Sequence, residues 1–223
     1  IVEALAVKLV ADEKTRLTKK GTDNLGAYDL VLRGSSHLRR YTKESNEFAQ
    51  EIFAQAAQLD PNYTAAYAGM VWTRLMAWIY GWRHDPQLLE DALELGKKAV
   101  SLDESSPQGH VILGNVYLWK KQHEEAIAEF EKAVSLNPND ADALSSLGGA
   151  LVFSGLPEKA LGYLEKAIRL NPNYPEYYIF TLGQAFFQLK MYEEAVTALR
   201  KSIIKNPNFM PAHYVLAACY GHL

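Results

Sequence analysis

The chain has 223 residues, of which 48% are hydrophobic and 22% charged, and its formal net charge is -3. This composition is ample for a buried core, whereas the balanced charge excludes the basic surface of nucleic-acid-binding domains and the polybasic cluster that attracts anionic membranes. Cys219 is the one cysteine and cannot form an internal disulfide, which agrees with the cytoplasmic location that we expect.

Residues 1–26 contain no repeat, and we expect them to form an N-terminal helical cap or linker. Apolar spacing predicts one helix over residues 1–9, too short to cross a bilayer, and a second over 12–20 that ends at Gly21. Thr22, Asp23 or Asn24 would cap the next helix. Because the chain begins with Ile1 rather than Met, we expect a fragment or a processed product.

Residues 27–63 and 64–106 predict two helical hairpins. The first has small and large residues at helical spacing in its second half, namely Ala49, Phe53 and Ala56, before Pro61.

The second hairpin contains an insertion of about nine residues around 77–87, judged against the repeat period of the later units. It contains Trp78, Tyr80 and Trp82. Two interpretations remain open: the rings form a docking or dimer surface, or the insertion lengthens two helices and buries the rings against residues 1–9. Asp85 and Pro86 are typical of a helix start.

Three regular units follow, at residues 107–140, 141–174 and 175–209, with a partial sixth unit at 210–223. Leu136-Asn137-Pro138-Asn139 recurs 34 residues later as Leu170-Asn171-Pro172-Asn173. Each unit has two apolar stripes with a short break between them, which predicts an antiparallel helix pair. The recurring anchors are His110, Leu113, Gly114, Tyr117, Ala126, Phe130, Ala133 and Pro138, with their counterparts at each later unit.

Gly114, Gly148 and Gly183 fall in the middle of predicted helices. Glycine at such a position costs about 1 kcal/mol relative to alanine, so we expect a partner helix to approach closely at each of them. The Asn-Pro steps would end the second helix of each pair, because a residue before proline is disfavoured in the α region.

These anchors resemble the signature of the tetratricopeptide repeat (TPR) family. The resemblance implies an all-α fold, a right-handed α-solenoid of antiparallel helix pairs, with about five repeats and a partial sixth. It also implies that the first helix of each pair lines a concave groove. A non-catalytic scaffold that binds a protein or peptide partner is the function it favours.

The stretches at residues 1–10 and 22–34 resemble a junction found in bacterial signalling proteins. In those proteins an adenylate/guanylate cyclase-type or DNA-binding domain precedes a TPR array. The resemblance implies that the parent protein is a multidomain regulator. It places no cyclase chemistry in this segment.

The predicted groove is aromatic and neutral-polar. Val111, Ser145 and Phe180 stand where the family's carboxylate-binding lysines would lie, so we expect an apolar or amphipathic partner segment instead. Ser145, Gly149 and Val152 are further expected to face the groove. The predicted partner-binding residues are Trp72, Gln108, Val111, Asn115, Trp119, Asp142, Phe153, Tyr177, Phe180, Gln184 and Phe187.

No pattern of residues predicts catalysis, a cofactor or a metal. The six histidines lack the His-x3-His spacing of a zinc site, and His110 is expected to be a packed, hydrogen-bonded side chain. Gly96-Lys97-Lys98 lacks the first glycine of a phosphate-binding loop. The alternative function is a homo-oligomerisation module of a regulator, acting as a homodimer through Trp78 or Trp82.

Overall fold

The computed structural model of the chain describes residues 21–223, and this part is all-α, as predicted, with eleven helices and no strand. The expected helices over 1–9 and 12–20 lie outside the described residues. The helices are α1 (Leu25–Leu38), α2 (Lys43–Leu59), α3 (Thr64–Ile79), α4 (Gln87–Leu102), α5 (Pro107–Trp119), α6 (His123–Leu136), α7 (Ala141–Phe153), α8 (Pro157–Leu170), α9 (Glu176–Gln188), α10 (Tyr192–Lys205) and α11 (Met210–Tyr220).

Consecutive helices pack as hairpins, and the hairpins stack into a solenoid. Each helix contacts the next along the chain, and each odd-numbered helix also contacts the next odd-numbered helix. Within residues 21–223, no even-numbered helix contacts another even-numbered helix. The odd helices therefore lie on the inner side of the stack and the even helices on the outer side.

Close approach within each hairpin explains the mid-helix glycines. A Cβ atom added at Gly114 would lie 2.8 Å from the Phe130 ring, one at Gly148 would lie 2.6 Å from the Leu164 side chain, and one at Gly183 would lie 2.9 Å from Leu199. The three large side chains are fully buried. The expectation of tight contact at these positions is confirmed.

The helix ends follow local chemistry. Asn24 caps α1, because its side-chain oxygen accepts a hydrogen bond from the Ala27 N–H at 3.0 Å. Asp140 caps α7 by accepting from the N–H groups of Asp142 and Ala143. At the other end, Asn137 leaves the helical conformation (φ -140°, ψ 89°) directly before Pro138, as expected for a residue that precedes proline.

The insertion lengthens the second hairpin. Helices α3 and α4 each have 16 residues, whereas α5 has 13, so the lengthening that one interpretation predicted is present. Trp78 is half-buried and packs against the core around Val71 and Leu75. The other half of that interpretation, burial of the rings against residues 1–9, lies outside the described residues.

The Asp85 carboxylate accepts a hydrogen bond from the Gln87 N–H at 3.0 Å. Helix α4 begins at Gln87, immediately after Pro86, so the predicted helix start is confirmed to within one residue.

Candidate partner-binding surface

The odd helices run parallel and in register, which gives their exposed face a regular geometry. At the start of α7 and α9, the Tyr177 hydroxyl donates to the Asp142 carboxylate at 3.2 Å. At their ends, the Gln188 amide donates to the Val152 carbonyl at 3.1 Å. Because starts meet starts and ends meet ends, equivalent residues of successive odd helices form rows across the solenoid. We call this face the odd-helix surface.

One edge of the odd-helix surface is aromatic. Trp119 and Phe153 are the last residues of α5 and α7, and their side chains are 41% and 56% exposed. Since the two helices are neighbours in the stack, the rings share one edge.

The opposite edge is polar and consists of Gln108, Asp142 and Tyr177, which lie in the first turns of α5, α7 and α9 and are exposed. The sequence-based prediction included all five of these edge residues.

The middle of the odd-helix surface is half-buried. Val111, Asn115 and Gln184 lie there, and the Asn115 amide donates to the Val111 carbonyl of its own helix at 2.8 Å. The Gln184 side-chain oxygen is buried and accepts no hydrogen bond within the described part of the chain. A buried amide without a partner is unfavourable, so this atom offers a site for a donor.

Three of the predicted aromatic residues already pack within the chain. Trp72 on α3 packs against the core of the second hairpin. The Phe180 ring meets Phe209 edge-on with 5.1 Å between centroids, and Phe187 lies 5.8 Å from both Tyr192 and His222. All three are half-buried, so each has less surface to offer than Trp119 or Phe153.

Two expected surface residues are instead buried. Ser145 is 3% exposed and Val152 is 1% exposed, so the prediction that they face the groove is wrong. Both lie on α7, which is packed between α5 and α9. Gln188 was missed, although it follows Phe187 at the end of α9, in the place that corresponds to Trp119 and Phe153.

Asp142 joins two odd helices. Its carboxylate oxygen accepts hydrogen bonds from the hydroxyl groups of both Tyr177 and Tyr178. Tyr178 is fully buried, and burial, together with the hydrogen bond to Asp142, raises the pKa of its phenol well above the ordinary range. Tyr178 therefore stays neutral and keeps donating to Asp142 at any pH near neutrality.

His110 is buried and hydrogen-bonded, as predicted. Its Nδ1 lies 2.6 Å from the Glu129 carboxylate and its Nε2 lies 3.0 Å from the Glu104 carbonyl. In residues 21–223, no cluster of three or more His, Cys, Asp and Glu side chains is arranged to hold a metal ion. Across the same residues, every helix is too short or too polar to cross a membrane.

Comparison with known families agrees with the hairpin geometry. A TPR repeat model matches residues 114–153, and a second model, described as tetratricopeptide repeat, matches residues 147–209. Both matches fall on the regular units, in which a mid-helix glycine lies against the second helix of the hairpin. Residues 114–209 of this chain are therefore tetratricopeptide repeats.

Solved structures of TPR proteins share the fold of this chain. TTC0263, a thermophilic TPR protein of Thermus thermophilus, superposes with a TM-score of 0.69 at 19% identity, over 87% of this chain and 98% of that one. YrrB, described as a TPR protein with an unusual peptide-binding site, superposes with a TM-score of 0.54 at 20% identity, over 92% of this chain and 96% of that one. At these identities the similarity concerns the fold alone.

One sequence relative is much longer than this chain. A protein of Rhizobium meliloti (strain 1021), named "Putative adenylate cyclase 3", is 33% identical over 127 residues. The match covers 56% of this chain but only 22% of that protein. The matched part of the chain thus corresponds to about a fifth of this relative.

Proposed function

We propose that this TPR chain binds a polypeptide segment along the odd-helix surface and performs no catalysis. The observation that carries the proposal is the exposed aromatic edge, where Trp119 and Phe153 end adjacent helices at 41% and 56% exposure. Aromatic side chains that are exposed on a rigid scaffold are common binding hot spots. The polar edge opposite would orient a partner through hydrogen bonds.

The proposed partner segment is apolar or amphipathic. The row formed by Val111, Ser145 and Phe180 carries no cation for a terminal carboxylate. Val111 and Phe180 offer partly exposed apolar area, and the unpaired oxygen of Gln184 would accept a backbone N–H from the partner. An amphipathic or extended segment needs no cation, can cover the apolar area and can donate a backbone N–H.

The proposal is tested by selecting binders from a displayed library of short peptides and measuring their affinity by fluorescence anisotropy. Replacing both edge rings in the Trp119→Ala/Phe153→Ala variant should weaken the selected peptides about tenfold or more, because hot-spot truncations cost over 1 kcal/mol. The matched control is Phe48→Ala, which removes a 58% exposed ring from the even helix α2 and should leave affinity unchanged. Equal loss in both variants would contradict the assignment to the odd helices.

We further propose that the chain is the interaction part of a larger bacterial regulator. The similarity to one segment of a protein named as an adenylate cyclase supports this, and so does the junction resemblance at residues 1–34. In that role the odd-helix surface would receive a partner whose binding changes the activity of a neighbouring domain. Nucleotide cyclisation by the full-length gene product, with and without the selected peptide, tests the idea, and identical rates would contradict it.

A further inference from the structure

A cavity of about 270 Å³ lies away from the odd-helix surface, between the first turns of α2 and the loop that follows α3. Helix α2 contributes Lys43, Asn46, Glu47, Gln50 and Glu51, all on one helical stripe, and the opposite wall consists of Ala77, Trp82 and Arg83. The loop belongs to the insertion that interrupts the second hairpin. The cavity thus combines an outer helix with the part of the chain that departs most from a regular repeat.

Asn46 is the informative wall residue. It is only 4% exposed, and its side-chain nitrogen donates to the Thr73 carbonyl at 3.0 Å. Because a carbonyl can only accept, this bond fixes which atom of the amide is nitrogen. The remaining atom is therefore the oxygen, which is buried and has no hydrogen-bond partner within residues 21–223. Native proteins rarely leave such an acceptor unsatisfied, so we expect a hydrogen-bond donor to bind beside the Asn46 oxygen.

The charges and the ring around Asn46 identify the kind of donor. The Glu47 and Glu51 carboxylates line the cavity without an ion pair in the described part of the chain, whereas Arg83 is paired with Asp85 at 3.5 Å. The indole of Trp82 lines the same space and is held by Tyr80, which stacks on it with 5.1 Å between ring centroids. A planar cation with several N–H groups satisfies acceptors of this kind while stacking on an aromatic ring.

We propose that this cavity binds a guanidinium group. The group would donate to the Asn46 oxygen and to the Glu47 and Glu51 carboxylates, and would lie against Trp82. An arginine side chain of a partner polypeptide and a small free guanidinium compound share this chemistry. The proposal concerns a second site and does not depend on partner binding to the odd-helix surface.

The test uses two-dimensional NMR of the whole chain titrated with N-acetyl-arginine amide, with N-acetyl-norleucine amide as the uncharged comparison. The expected result is a saturable shift of the Asn46 side-chain amide and the Trp82 indole N–H with the arginine probe alone. Glu47→Gln/Glu51→Gln should weaken the arginine probe about tenfold, since charge-assisted hydrogen bonds are roughly twice as strong as neutral ones. Glu44→Gln removes the same charge from the same helix outside the cavity and should change nothing.

The Lys43→Met variant tests whether the bound group is a cation or an anion. Lys43 lines the cavity, so removing its charge should strengthen binding of a cation, whereas it would weaken binding of an anion. Weaker binding after Lys43→Met, equal shifts with the uncharged probe, or no saturable shift would each overturn the proposal. Comparing free arginine with arginine-containing peptides separates the two sources, because tighter binding of the peptides identifies a polypeptide partner.

Discussion

Gly148 and Gly162 show how the surroundings decide what a small residue does. Both lie within helices, in α7 and α8. A Cβ atom on Gly148 would stand 2.6 Å from Leu164, whereas nothing lies within 4 Å of one on Gly162. The first glycine is required by packing, and the second costs helix stability with no compensating contact.

Gly148→Ala should therefore destabilise the chain by up to about 2 kcal/mol, because overpacking costs ~1–3 kcal/mol and the helix-propensity gain of about 1 kcal/mol offsets part of it. Gly162→Ala is the matched control and should raise the free energy of unfolding by up to about 1 kcal/mol. Urea unfolding followed by circular dichroism measures both. Opposite signs are the expected result, and a stabilising Gly148→Ala would refute the close-contact explanation.

Single residues also show where sequence reasoning ends. Repetition at a fixed spacing was enough to predict the close helix contacts at the mid-helix glycines and the packed side chain of His110. It was not enough to separate Val111 from Ser145, which occupy equivalent places in successive repeats but are half-buried and buried, respectively. Exposure there depends on side-chain size and on the neighbouring odd helices, which the pattern within one repeat does not record.

At the scale of elements, the turns within the hairpins share a backbone conformation that their residue types do not indicate. Every described hairpin has one turn residue with left-handed backbone geometry, and only two of the five are glycine. They are Tyr41 (φ 53°), Gly81 (φ 64°), Lys121 (φ 62°), Gly155 (φ 73°) and Lys190 (φ 61°). Because lysine and tyrosine seldom adopt this conformation, residue type alone predicted a break in each hairpin but not the turn geometry.

This shared geometry makes substitutions at the turns predictable. Gly155→Ala should destabilise by about 1–2 kcal/mol, which is the cost of a Cβ atom in the left-handed region, since no neighbour lies within 4 Å to add a clash. Lys121→Gly should do the reverse and stabilise by up to about 1 kcal/mol, less the greater backbone entropy of glycine in the unfolded chain. Thermal unfolding of the two variants measures the difference. Unchanged stability in Gly155→Ala would show that the turn relaxes to another geometry.

For the whole molecule, stacking means that each hairpin is stabilised by its immediate neighbours. Leu199 is fully buried in α10 among side chains of α9 and α11. Leu199→Ala should cost about 2–5 kcal/mol locally and increase hydrogen exchange in α9, α10 and α11, while α1 to α3 keep their protection. Ile204→Ala, at a 79% exposed position of the same helix, is the control and should alter neither region.

Hydrogen exchange with mass spectrometry resolves these regions. A uniform rise along the chain after Leu199→Ala would indicate one cooperative unit instead of neighbour-by-neighbour stability. The helix pairs and their order followed from the repeat pattern. The cavity beside Asn46 did not, because it is formed where the irregular insertion meets α2, and no repeat constrains that junction.

The in-register alignment of the odd helices also determines the residue spacing expected of an extended polypeptide that binds the odd-helix surface. Packed helices lie about 8–10 Å apart, and an extended chain advances about 3.3 Å per residue. A strand crossing the inner face would thus pass a new helix roughly every three residues. Peptides that bind there should carry an apolar side chain at about every third residue. This spacing can be sought in the sequences of candidate ligands before any of them is purified.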